Sequence, residues 1–345
     1  MTSPSPVPER EPDTETAIPS RRSRAQIAVL VGVAAGLFAA WNVLGENSDF
    51  RAWWQGSRLL IAGVDPYLVP VASAQWPWST PLFYPAPALL MAAPFAVLPL
   101  PVAAGIFFAL AAGALAWTLS AHGWWRLWLL GTPSFIMAVE VGQWSPAICL
   151  AALVPSLGWL AAAKPNLGAA ALMLRVSPRA IALAVAITVV SVAVLPAWPA
   201  EWMANLARLE AHPAPLFTPA GCWLAVALLR WRCREARLLL AMAVVPQLLF
   251  FADQLPLYLV ARSRREAMLQ VAPALIAFLL WFVQLRTGDL YVIAAAPYVL
   301  AGVYLPALLV VLSRPNVGDV PPWLERLTAR LPAVLRGRPA VATPC

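Results

Sequence analysis

The chain has 345 residues, 61% of them hydrophobic and only 12% charged, with a mean hydropathy of +0.73. Soluble domains carry about 25% charged residues, so this composition excludes a soluble globular protein and fits a polytopic membrane protein. The formal net charge of +8 does not mark a nucleic-acid binder, because the arginines cluster at the ends of apolar runs and form no stripe with base-stacking aromatics.

In chain order, residues 1–20 are rich in Pro, Ser, Thr and Glu and lack an apolar core, so 1–24 reads as a disordered tail and not as a cleaved signal. Residues 25–44 supply the roughly 20 apolar residues that cross a hydrocarbon core of about 30 Å as a helix. Comparable runs recur to Ser313, longer and less interrupted than those of a transmembrane β-barrel. The expected class is all-α, with a transmembrane domain over 25–313. Arg21, Arg22 and Arg24 place the N-terminus in the cytoplasm by the positive-inside rule. Residues 46–83 then form the first extracytoplasmic loop, whose Trp53, Trp54, Trp76 and Trp78 suit short helices anchored in the interface.

Apolar segments follow at 84–100, 102–121, 127–139, 145–163, 166–174 and 180–198, then a Trp- and Pro-bearing loop at 201–220. Further segments lie at 222–229, 238–261, 271–285 and 291–312, before a polar, basic tail at 314–345. The expectation is nine or ten crossings. Arg230, Arg232, Arg234 and Arg237 mark one cytoplasmic turn, and Arg262, Arg264 and Arg265 the next. The piece between must cross twice as half-helices or dip in and return, broken at Pro246 and Pro256, with Asp253 at its far-side tip.

Cys149, Cys222, Cys233 and Cys345 lack metal-site spacing and read as buried thiols. His122 and His212 are too far apart for a metal pair on one helix and suit membrane–water boundaries. There is no Gly-rich phosphate loop, and the acidic groups are too sparse to imply a divalent metal, so no cofactor is expected. No internal repeat of the kind found in many transporters is evident.

The residues that carry chemistry lie in short polar elements between apolar runs. Asn47-Ser-Asp-Phe50 puts a carboxylate at the foot of the first apolar helix, where it is costly unless satisfied. Asp49 is therefore either a functional carboxylate or a solvated loop residue. In Gly63-Val-Asp-Pro-Tyr67, Asp65 reads as a turn residue accepting backbone N–H groups. Phe83-Tyr-Pro-Ala-Pro87 opens the next helix, Glu140-Val-Gly-Gln-Trp-Ser145 ends an apolar run, and Lys164-Pro-Asn-Leu-Gly168 puts an ammonium between two apolar stretches. Singly, each also fits a bland use: a helix start, a packing contact, a snorkelling lysine.

In this order, Ser48-Asp-Phe50, Gly63-Val-Asp-Pro-Tyr67, Phe83-Tyr-Pro85, Gly142-Gln143 and Lys164-Pro165 resemble the polyprenyl-phosphate-mannose-dependent mannosyltransferases of glycosyltransferase family 87. The resemblance spans about residues 49–175 and implies a GT-C bundle in the cytoplasmic (inner) membrane. It implies a hexose, mannose first, moved from a polyprenyl phosphate to a lipid or glycan acceptor, with a catalytic acidic residue in the first extracytoplasmic loop. Asp49 takes that place. Chemically, Asp49 would act as general base on the acceptor hydroxyl, in an inverting single displacement through an oxocarbenium-like transition state. Arg51, Arg58 and Lys164 are candidates to bind the leaving phosphate. Asp65, Tyr67, Tyr84, Gln143 and Asp253 are candidates to line the cavity. The stretch between Gln143 and Lys164 is shorter than in the family, and no histidine follows His212, where members carry one in a late extracytoplasmic loop; Asp253-Gln254 stands in a broadly similar place. The partners implied are the lipid-linked donor, the acceptor and membrane lipids, with no nucleic acid. The competing reading is a non-catalytic lipid-binding or structural subunit derived from such a transferase.

Overall fold

The computed structural model describes residues 19–45, 48–208, 212–288, 292–320, 322–330, 332 and 336–339. Most of the expected disordered tail, and Cys345, lie outside the described residues. Among those residues the protein is all-α, with a single isolated β-bridge, Val317 to Arg338, and no strand.

The first helix, α1 (Arg21–Asn42), starts four residues earlier than its apolar run because Ser20 caps it, the hydroxyl accepting from Ser23 N–H at 3.1 Å. After α2 (Asp49–Ile61) and α3 (Ala86–Ala96) comes α4 (Leu100–Ser120). Helices α1 and α4 run antiparallel in close contact: Arg24 donates to Trp117 O at 2.8 Å at one end, and a Cβ on Gly36 would lie 2.6 Å from Gly105 O toward the other. Gly32 is equally tight, 2.7 Å from Ala109 O, so Gly32-xxx-Gly36 faces Gly105, Ala109 and Gly113 along one seam of small residues.

Among the described residues, three helices are long and apolar enough to cross a membrane: α1, α4 and α11 (Arg264–Thr287). A fourth candidate pairs α8 (Pro178–Val194) with α9 (Trp198–Leu206), which are bent by 101° at the break between them. The protein is thus built as a multi-pass membrane protein. The other apolar runs fold as short pieces. Residues 127–139 divide into a 3-10 helix, Trp124–Gly131, and α5 (Pro133–Glu140); residues 145–163 divide into α6 (Ser145–Leu153) and a 3-10 helix, Pro155–Ala163; α7 is Pro165–Leu172. Prolines open nearly all of these, and at about 1.5 Å per residue a nine-residue helix reaches only about 14 Å. Nine or ten crossings are therefore not matched by helices of spanning length. The 201–220 loop also differs, since Glu201 belongs to α9.

Residues 238–261 go out and come back, as their flanking arginines required. Helix α10 (Arg234–Val244) gives way to irregular chain with 3-10 turns, and Arg262 returns to Glu235 with Nε and Nη2 at 2.7 and 2.6 Å from the carboxylate. From Leu249 to Ala261 every residue is buried, the condition under which irregular backbone is tolerated at membrane depth. The 314–345 tail is not simply solvated where it is described. Arg232, 2% exposed, receives Glu325 in a two-pronged ion pair and also donates to Gly318 O, and Asn316 Oδ1 accepts from Arg232 N–H at 3.0 Å.

Candidate functional site

Asp49 is the first residue of α2, and its N–H donates to Val141 O at 2.8 Å. That bond ties α2 to the turn after α5. Gly142 in the turn has φ +73, and a Cβ there would lie 2.5 Å from Phe50 N and 2.8 Å from Ser48 Oγ. Only glycine fits this left-handed, backbone-to-backbone contact. Trp53 Nε1 donates to Gly142 O at 3.2 Å and locks the turn from the other side. The consequence is that Gln143, 94 residues away in sequence, stands against the Asp49 side chain.

Five residues from five separate segments then form one chain of polar contacts. Gln143 Nε2 and Tyr84 OH both donate to Asp49 Oδ2, the latter at 3.0 Å. Gln143 Oε1 accepts from Tyr84 OH at 3.2 Å and from Lys164 Nζ at 2.9 Å. Lys164, the N-cap of α7, continues to Asp253 with Nζ 2.6 Å from Oδ1. Ser145 Oγ donates to Ala252 O at 2.7 Å, fastening the Asp253 turn to the start of α6. Tyr84, Gln143 and Asp253 are each 8% exposed or less, whereas Asp49 is open to solvent.

Asp49 thus occupies a recess: its surface is accessible, yet enough protein crowds around it that lost hydration raises its carboxyl above the usual range. The nearby Asp253 charge adds to the rise, while Lys164, Tyr84 and Gln143 oppose it. Burial and the Asp49 charge push the Tyr84 phenol well above its ordinary value, so this hydroxyl stays protonated and serves as a donor. An accessible carboxylate held by two donors, with an ammonium one residue further on, can take a proton from a bound hydroxyl. The ammonium can meet an anion if Asp253 shares it.

The other sequence candidates lie elsewhere. Arg51 and Arg58 follow Asp49 by two and nine residues, which at 100° per residue turns both about 180–200° round the helix. Arg51 Nη1 donates to Gly45 O at 2.9 Å, and the Arg58 guanidinium stacks 4.8 Å from the Trp54 ring beside a surface groove lined by Ile61 and Val97. Neither joins the Asp49 chain. The Asp65 carboxylate accepts from Tyr67 N–H at 2.9 Å, a turn contact, and Tyr67 OH reaches the site only at one remove, donating to Tyr84 O at 2.8 Å. Trp53 and Trp76, expected to anchor in the interface, are instead core residues, 0% and 2% exposed. Trp53 packs on Phe50, Phe107 and Trp144 with centroids 4.0–5.0 Å away. A tryptophan cluster in a loop does not reveal which rings turn inward. Ser145 was visible in the Gly-Gln-Trp-Ser element, but its acceptor on a distant turn was not. No group of three or more potential metal ligands is found among the described residues. Comparison with protein-family models, curated protein sequences and solved structures finds no match.

Proposed function

We propose that this protein is a membrane glycosyltransferase that moves a hexose, mannose first, from a polyprenyl phosphate to a hydroxyl of a lipid or glycan acceptor. The observation that carries the reading is the convergence of Asp49, Tyr84, Gln143, Lys164 and Asp253 into one chain of contacts. These residues come from the short polar elements that resemble family 87, apart from Asp253, whose place in the chain is broadly similar to that of the family's late histidine. In this reading Asp49 takes the proton of the acceptor hydroxyl as its oxygen attacks the anomeric carbon, and the C–O bond to the donor phosphate breaks on the opposite face. Tyr84 and Gln143 hold the carboxylate in place. Lys164 stabilises the departing phosphate by exchanging part of its contact with Asp253. Arg51 and Arg58 have no part in that step.

The topology that goes with this reading puts the N-terminus in the cytoplasm and the Asp49 recess on the far side of the inner membrane. The basic groups support it: Arg24 meets the C-terminal end of α4, and Arg264 stacks 5.3 Å from Trp128 a few residues beyond, so they gather at one end of the bundle. Asp49 follows α1, which at 22 residues extends about 33 Å, at the other. Incubating the purified protein with polyprenyl-phosphate-mannose of defined anomeric configuration and native-membrane lipids tests the reaction. The account expects a glycolipid with the anomeric centre inverted; a retained centre rules out the single displacement.

One observation favours the second reading, a non-catalytic lipid-binding subunit: Lys164 is already paired with Asp253, so the resting site presents no free ammonium. Lys164→Gln separates the two. It lowers transfer in an enzyme, whereas a subunit shows no transfer with or without it.

A further inference from the structure

The segment that delivers Tyr84 to Asp49 has no regular structure, yet three of its successive carbonyls are each bound by a side chain from elsewhere. Leu82 O accepts from Asn205 Nδ2 at 3.3 Å, Phe83 O from Trp202 Nε1 at 2.8 Å, and Tyr84 O from Tyr67 OH at 2.8 Å. Two of these donors, Trp202 and Asn205, are three residues apart on α9 and therefore share a face. Asn205 is 3% exposed, and Trp202 is fixed against Trp198 with ring centroids 5.7 Å apart. Their direction depends on the 101° bend that turns α9 away from α8.

We propose that α9 is the positioning element of the Asp49 centre, with Trp202 and Asn205 as positioning residues that hold the 82–84 backbone so that the Tyr84 hydroxyl reaches Asp49 Oδ2. The inference deepens the reading of Asp49 as the reacting carboxylate. A purely structural alternative is that these side chains only satisfy carbonyls that would otherwise be unpaired near the membrane boundary. The two differ in what they do to Asp49. Loss of the Tyr84 donor makes the carboxylate harder to ionise, whereas a carbonyl tie with no bearing on Tyr84 leaves its titration unchanged.

The test is an infrared difference titration of the Asp49 carboxyl, taken against Asp49→Asn, on the full chain in lipid nanodiscs. Tyr84→Phe moves the midpoint up and sets the scale. Trp202→Phe keeps an aromatic ring but loses the indole donor, and is expected to move the midpoint the same way by about half a pH unit or more. A Trp202→Phe protein that folds and titrates like the wild type overturns the proposal. Should Trp202→Phe fail to fold, Tyr67→Phe carries the same expectation; if neither folds, the ties are structural and the proposal fails. The readout needs no sugar. A shifted midpoint without any transfer by the wild type would sink the reaction and leave the positioning role standing, and transfer with an unshifted midpoint would do the reverse.

Discussion

Asp49 and Gly142 carry the site at the scale of single residues. Because lost hydration in its recess raises the Asp49 pKa and a general base works only when ionised, the proposed reaction should be lost as pH falls through that raised value. The acid limb of a pH–rate profile should therefore lie above the ordinary aspartate range of about 4; a limb at or below that range would show that a different group ionises. Gly142→Ala places a Cβ in a left-handed conformation, a cost of about 1–2 kcal/mol, and drives it into Phe50 N. Thermal melting should show a clear loss of stability, and transfer should fall even in protein that remains folded. Four of the five residues in the chain of contacts were legible from short polar elements between apolar runs, because a polar group there is costly and so carries information. Asp253 was legible for a different reason: two arginine clusters forced a return, and its tip had to be near that residue. Short helices were expected in 46–83 but not their phase, and in α2 that phase turns Arg51 and Arg58 away from Asp49.

The helices show what hydropathy reports and what it does not. It located α1 and α4 within a few residues, since each has a spanning length of apolar sequence, but for α11 it marked only 271–285, because the first turns of that helix carry Arg264, Arg265 and Glu266. It gave no warning that the runs at 127–139 and 145–163 break at Pro133 and Pro155, because an apolar residue buried among other segments need not belong to a long helix. The α1–α4 seam also lies outside hydropathy, which scores glycine near neutral. Gly36→Leu should force the two helices apart and lower the melting temperature markedly, while Ala34→Leu, on the exposed face of α1, should change it little. Equal effects of the two substitutions would remove the seam as a stabilising contact.

Across the whole molecule, charge is divided between two ends. One holds the Asp49 chain, with Arg51 and Arg58 on α2; the other holds Arg262 and Arg314 with Glu235 and Glu266, where Arg314 Nη2 lies 2.7 Å from Glu266. The basic tail is part of the second end through Arg232 and Glu325. Glu325→Gln is expected to loosen it, read as faster tryptic cleavage at Arg326 and Arg330 with no change in transfer, since the tail is remote from Asp49. The tail's polar, basic composition did not show a partner, which is a buried arginine elsewhere in the chain. One paired measurement asks whether a sugar is transferred in the Asp49 recess: transfer of radiolabelled mannose from polyprenyl phosphate by the wild type and by Asp49→Asn, with both shown to be folded. Labelled product is expected from the wild type and none above background from the nearly isosteric variant; equal transfer by the two, or none by either with a mannose or a glucose donor, would overturn the proposed function.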